Sequence, residues 1–185
     1  PKNASNALAL PKKFSLRTYF PIILFIVLCA VFASMSPRFL TFDNFSIVLQ
    51  QTVVLLVAAL GMTFVIIAGS IDLSVGSIVA IAALVAASLS GDWGIAAIIP
   101  AILVGTIAGL VNGIIFAKGK VPSFMVTLGT LVSYRGIVLY FTRGAPVEIT
   151  SLDFIRTYSG RTDFLSVAIP NAAIITLFVV LIVYL

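Results

Sequence analysis

The feature that most constrains this chain is an apolar tract running from Thr52 to Leu89, with a polar break at Gly69-Ser70, Asp72 and Ser74. One helical crossing of a bilayer takes about 20 residues. The tract is therefore too long for a single helix and reads as two, joined at the break. An acidic side chain stands in that break. A carboxylate between hydrophobic segments is costly unless it is solvated, capped or paired, so Asp72 marks a built site.

Composition puts the rest of the chain in the same solvent. Hydrophobic residues make up 61% and charged residues 9% of the 185, whereas a soluble domain carries roughly 25% charged residues. This is the composition of an integral membrane protein. The net charge of +5 does not point to nucleic acid, because the basic residues flank apolar spans and form no stripe. Cys29 is the single cysteine, so neither a disulfide framework nor a cysteine metal site is available. With no histidine, the commonest general base and metal ligand are missing. The chain begins at Pro1 and stops at Leu185 within a hydrophobic run, which reads as trimming at both ends.

Taken in order, residues 1–18 form a basic tail with Lys2, Lys12, Lys13 and Arg17, expected on the cytoplasmic side. Residues 19–185 form the membrane domain. Its first span, Tyr19–Met35, has Pro21 near a helix start. It resembles the apolar part of a signal peptide, but it is long for one, and further apolar segments follow without an Ala-x-Ala site. Asp43 or Asn44 is placed to cap a second helix running from about Phe45 to Ala68. Val75–Leu89 is the third segment, and Gly91-Asp92-Trp93-Gly94 reads as a tight turn. The fourth, Ile95–Ala117, carries Gly105, Gly109 and Gly113 on nearly one face. Such glycines suit close helix packing in lipid or an interface that moves. Val121-Pro122 opens the fifth segment, which ends near Thr142. A polar stretch, 143–164, precedes a sixth run, Phe164–Leu185, with an irregular start at Pro170-Asn171. The expectation is an all-α polytopic fold with about six spans and a broken or re-entrant element near 69–74.

If the N-terminus is cytoplasmic and every segment crosses, the inner side receives Lys2, Lys12, Lys13, Arg17, Lys118 and Lys120, with no acid. The outer side receives Arg38, Arg143, Arg156 and Arg161 against Asp43, Asp92, Glu148, Asp153 and Asp163. That bias matches the positive-inside rule.

Candidate chemistry gathers at few positions. Asp72 and Ser74 stand just before a helix near Val75, where side-chain oxygens cap amides and negative charge suits the dipole. The same break would place polar groups beside a permeation path, as broken helices do in transporters. Arg135 lies within the fifth span, either snorkelling to headgroups or facing inward toward Asp72 or Glu148. Asn112 either bonds across helices or lines a path. No Gly-x4-Gly-Lys-Ser/Thr, Gly-x-Ser-x-Gly or His-Glu-x-x-His occurs, so neither ATP hydrolysis nor an enzyme nucleophile is expected.

Three stretches resemble bacterial ribose- and xylose-type ABC transporter permeases. They are Gly61–Ser77, Lys120–Thr130 with Tyr134-Arg135-Gly136, and Asn112-Gly113 ahead of Lys118. Ser70 stands where glycine or a small residue is expected, a minor departure. The resemblance implies the N-terminal part of a permease in the bacterial inner membrane, paired with a second copy or paralogue. It would import a monosaccharide delivered by a periplasmic or lipid-anchored binding protein. A separate ATP-binding subunit would supply the energy, with no cofactor on this chain. The path candidates are Asp72, Ser74, Asn112, Ser123 and Arg135. In such permeases the segment that contacts the ATPase follows the span ending here, and is expected beyond residue 185. A secondary, ion-coupled transporter and a non-transporting scaffold are the competing classes.

Overall fold

The computed structural model describes residues 16–164 and 167–184; most of the expected cytoplasmic tail, 1–15, and the end of the last run at Leu185 lie outside them. Among the described residues seven α-helices follow one another: α1 (Leu16–Met35), α2 (Phe42–Ile67), α3 (Val75–Trp93), α4 (Ile98–Gly119), α5 (Ser123–Thr142), α6 (Leu152–Ser159) and α7 (Asn171–Tyr184). A short 3-10 turn, Gly94–Ala97, joins α3 to α4. Strands β1 (Arg161–Phe164) and β2 (Val167–Pro170) pair antiparallel, from Arg161 opposite Pro170 to Phe164 opposite Val167. α6 and β1 occupy the second half of the polar stretch, and β2 falls in the run expected as the sixth span; this small hairpin is the one departure among the described residues from the expected helical fold.

The described residues up to Phe45 and those from Ser46 onward form two compact units. Within the first, Phe32 stacks on Phe39 with ring centroids 5.7 Å apart. Thr41 Oγ1 accepts the Asn44 amide at 3.3 Å. The cap of α2 is thus Thr41; Asp43 and Asn44 sit inside the first turn, contrary to the sequence expectation. Pro21 likewise lies inside α1 and not at its start.

Among the described residues, three stretches are long and apolar enough to cross a bilayer: Phe42–Ile67, Val75–Gly119 and Ser123–Thr142. The apolar helices Tyr19–Met35 and Asn171–Tyr184 are shorter. As one straight helix, the 45 residues of Val75–Gly119 would span about 67 Å at 1.5 Å per residue, twice the hydrocarbon core of about 30 Å. The stretch folds back instead. Gly94 takes φ 53°, ψ −130°, and α3 and α4 then pack against each other and against α5. The reversal falls at Gly94 and the 3-10 turn, while Gly91–Trp93, expected to be a tight turn, finish α3.

The core of the second unit is built from small and hydroxyl-bearing side chains. Ser74, Ser77, Ser90, Ala97, Ala101, Ala108 and Thr127 are buried, whereas Leu55, Phe64, Ile102, Leu128 and Phe141 are exposed. Lipid is as apolar as leucine, so large side chains gain little by turning inward, and close backbone approach decides which faces meet. At Gly105 a Cβ would lie 3.7 Å from Ile78 Cγ2 and 3.9 Å from Ala82 Cβ, in ordinary contact. Several hydroxyls in the spans bond to their own helix, as Thr52 does to Val48 O, Thr63 to Ala59 O and Thr106 to Ile102 O, each at 2.8 Å.

Candidate functional site

The break between α2 and α3 is seven residues of non-helical backbone, Ala68–Ser74. Next to lipid, such backbone must find its hydrogen bonds inside the protein. The first bonds come from the end of α2. Gly69, at φ 72°, lets its own amide reach Ile66 O (2.9 Å) and the Ser70 amide reach Val65 O (3.0 Å), the paired bonds of a Schellman ending.

The next bonds come from α5. Ser123 Oγ accepts the Ile71 amide at 3.1 Å. One turn along, Thr127 Oγ1 lies 3.3 Å from Ile71 O and shares its single proton between that carbonyl and those of Ser123 and Phe124. The start of α5 therefore holds both polar groups of one peptide residue in the break.

Asp72 completes the set. Its Oδ1 accepts both the Ser74 amide (2.7 Å) and the Ser74 hydroxyl (2.6 Å). This is an Asx turn onto the residue two along, where the sequence suggested a direct cap of the amides of α3. Ser74 itself is the N-cap residue, fully buried, with no side-chain bond to the helix amides. Its carbonyl accepts from the Ser77 amide, the Ile78 amide and the Ser77 hydroxyl. From α4, Asn112 Nδ2 donates to Ser74 Oγ at 2.8 Å. Asp72, Ser74 and Asn112 thus form one hydrogen-bonded chain across two helices.

A cavity of about 240 Å³ opens beside this chain, lined by Ser70, Ile71, Asp72, Gly109, Asn112, Gly113, Phe116, Ser123 and Thr127 among others. Four of the five expected path residues meet at this break. Asp72, Asn112 and Ser123 line the cavity, and Ser74 links Asp72 to Asn112. Arg135 does not join them. It is exposed on α5, and among the described residues no ion pair joins it to Asp72 or Glu148. Of Gly105, Gly109 and Gly113 on α4, Gly105 faces α3. Gly109 and Gly113 have open space where a Cβ would be and form part of the cavity wall.

A family model described as branched-chain amino acid transport system / permease component matches residues 44–185. The chain belongs to that permease family. The ribose import permease of Haemophilus influenzae is 44% identical over 124 residues, 66% of this chain and 38% of that protein. The ribose import permease of Bacillus subtilis is 34% identical over 157 residues, 84% of this chain and 49% of the relative. The xylose transport system permease protein of Haemophilus influenzae is 39% identical over 141 residues, 74% of this chain and 38% of that protein. The chain thus spans less than half the length of these permeases. No solved structure matches it.

Two residues that tie these elements together were not singled out from the sequence. Thr127 was one more hydroxyl in an apolar span, and only the fold brings it to Ile71. Tyr134 was noted only beside Arg135; its hydroxyl donates to Ala108 O at 3.0 Å and ties α5 to α4. The signal for Thr127 was present, since Ser123 and Thr127 are four residues apart and share one helix face.

Proposed function

We propose that the chain is part of the membrane-spanning subunit of an ATP-driven importer for a monosaccharide, and that the cavity at the α2–α3 break lies on the solute's path. The observation that carries this reading is an irregular backbone segment, satisfied by side chains of neighbouring helices and lining a mainly apolar cavity with a few polar groups, Asp72, Asn112, Ser123 and Thr127 among them. Irregular backbone at the border of the membrane is tolerated only where protein or a water-filled cavity covers it. The family description names branched-chain amino acids, while the relatives above are named for ribose and xylose. The lining favours the sugar. An amino acid brings a carboxylate, which calls for a cation or a cluster of free donors. The cavity wall offers a carboxylate, an amide and hydroxyls, and no lysine or arginine. Its volume of about 240 Å³ is below the 300–1,000 Å³ of pockets for drug-sized ligands, which suits one sugar ring.

In this reading α1 to α5 and α7 make six crossings of the bacterial inner membrane, with the N-terminus in the cytoplasm as the distribution of lysine and arginine indicates. The break then lies at the cytoplasmic end with Lys118 and Lys120, and the cavity belongs to the exit half of the path. Partners in this scheme are an ATP-binding subunit, a sugar-binding protein and a second permease copy or paralogue. The ATP-binding subunit carries the nucleotide, so this chain needs no cofactor. Uptake of labelled pentoses, hexoses and leucine by the full-length protein with these partners tests the scheme. Saturable, ATP-dependent uptake of a sugar is the expected result. Uptake of leucine alone would refute the sugar assignment, and uptake that survives loss of the ATP-binding subunit would refute the energy source.

A further inference from the structure

The hydrogen-bonded chain through Ser74 has a fixed direction. A carboxylate oxygen only accepts, so Asp72 Oδ1 takes the single hydroxyl proton of Ser74. Ser74 Oγ is then left as an acceptor, and whatever faces it from α4 must donate. Asn112 meets that condition with Nδ2, at 2.8 Å. Turning the amide over would set Asn112 Oδ1 against an oxygen whose proton is already committed. Oδ1 is therefore held on the other side of the amide. Asn112 is only 6% exposed, and Oδ1 is buried with no hydrogen-bond partner. Buried polar atoms are nearly always satisfied, and an orphan in a native structure calls for an explanation. This one belongs to a residue that lines the cavity, and it is covered as the wall stands, so a ligand group meets it only when the wall parts around the solute.

We propose that Asn112 Oδ1 is the cavity's hydroxyl-reading acceptor, and that Asp72 fixes its polarity through Ser74. The inference rests on the sugar-path reading and adds to it the atom that distinguishes one hydroxyl from the rest. The ligand group that meets Asn112 must be a donor. In a neutral polyhydroxylated ring that group is one particular hydroxyl, and an analogue lacking it leaves Oδ1 unsatisfied in a buried site. Asp72 is a positioning residue in this scheme. The Ser74 amide, a donor that cannot be turned, also bonds to Asp72 Oδ1. An asparagine at position 72 would be held with its oxygen in the same place, and the direction of the chain would survive. An alanine there would release the Ser74 proton to Asn112, and the amide could then turn its NH2 toward the cavity.

The test uses the full-length permease in proteoliposomes with its ATP-binding and solute-binding partners, and a radiolabelled aldopentose with its set of monodeoxy analogues. The measured quantity is the contrast in transport kcat/KM between parent sugar and analogue within each variant. That ratio does not depend on how much protein folds, and selection by the binding protein cancels between variants. In the wild type, removal of one hydroxyl should lower transport by about tenfold more than removal of the others, the size expected for an orphaned buried acceptor. Asn112→Leu and Asp72→Ala should level that contrast, and Asp72→Asn should retain it. A contrast that survives Asn112→Leu would overturn the inference alone, leaving the orphan oxygen to a bound water. Equal contrasts in Asp72→Asn and Asp72→Ala would overturn the positioning role. A wild type that carries no aldose would overturn the sugar reading and this inference with it.

Discussion

Replacing Asp72 separates an acceptor from a charge. Asp72→Ala removes the one oxygen that serves both the amide and the hydroxyl of Ser74, at 2.7 and 2.6 Å. Hydrogen bonds to a charged group are worth about 1.5–3 kcal/mol each in soluble proteins. Inside membrane proteins the average is nearer 0.6 kcal/mol, because the unfolded chain finds other partners. The two bonds share one oxygen on a half-buried side chain, while Ser74 is fully buried and cannot turn to water. A loss of about 1–3 kcal/mol follows for Asp72→Ala, or roughly 3–10 °C in melting temperature for a chain of this size. Asp72→Asn keeps an oxygen in place and should lose less than about 1 kcal/mol. Thermal unfolding of the detergent-solubilised protein, followed by size-exclusion chromatography after heating, measures both. Equal destabilisation by Asn and Ala would show that charge, not an acceptor, holds the break.

Other outcomes follow from the same geometry. Ser123→Ala and Thr127→Val should each destabilise by about 0.5–1.5 kcal/mol. Their double mutant should depart from additivity, because both side chains hold Ile71; strict additivity would argue against a shared role. With Cys29 replaced, a cysteine at Thr157 should react with an impermeant thiol reagent from outside, and one at Gly119 only after permeabilisation. The reverse pattern would invert the orientation. The purified chain should hydrolyse no ATP, since it carries no phosphate-binding loop; activity that copurifies with this chain and resists removal of contaminants would contradict that.

Much of the helical plan was legible because apolar runs in lipid are long and their interruptions few. Gly69 marked the end of α2, for only a glycine takes the positive φ there without strain. Asp72, Ser74, Asn112 and Ser123 stood out as polar residues within or at the ends of apolar segments, where each needs a partner. Their mutual bonds were not legible, since Asn112 is 38 positions from Ser74 and Ile71 is 52 from Ser123. Arg135 stood out for the same reason and lies elsewhere, because its long stem lets the charge leave the interior without a partner. Thr41 is a less conspicuous cap than its acidic and amide-bearing neighbours, although a threonine hydroxyl caps by the same bond. The β1–β2 hairpin straddles the end of the charged stretch and the start of the last apolar run, and its four-residue strands give too short an alternation to be seen.

The claim that the cavity beside Asp72 lies on the solute's path is tested most directly by filling it. Gly113 lines the cavity and has nothing within 4 Å of the point where a Cβ would stand, so Gly113→Leu should occupy the space without a clash against the backbone. The measurement is the initial rate of labelled pentose uptake by the full-length transporter with its partners, at matched amounts in the membrane. A control with Ile102→Phe enlarges an exposed position of the same helix. The account predicts that uptake falls at least about tenfold in Gly113→Leu, as when a well-placed obstacle misaligns a bound substrate, and stays near normal in the control. Normal uptake by Gly113→Leu would place the path elsewhere.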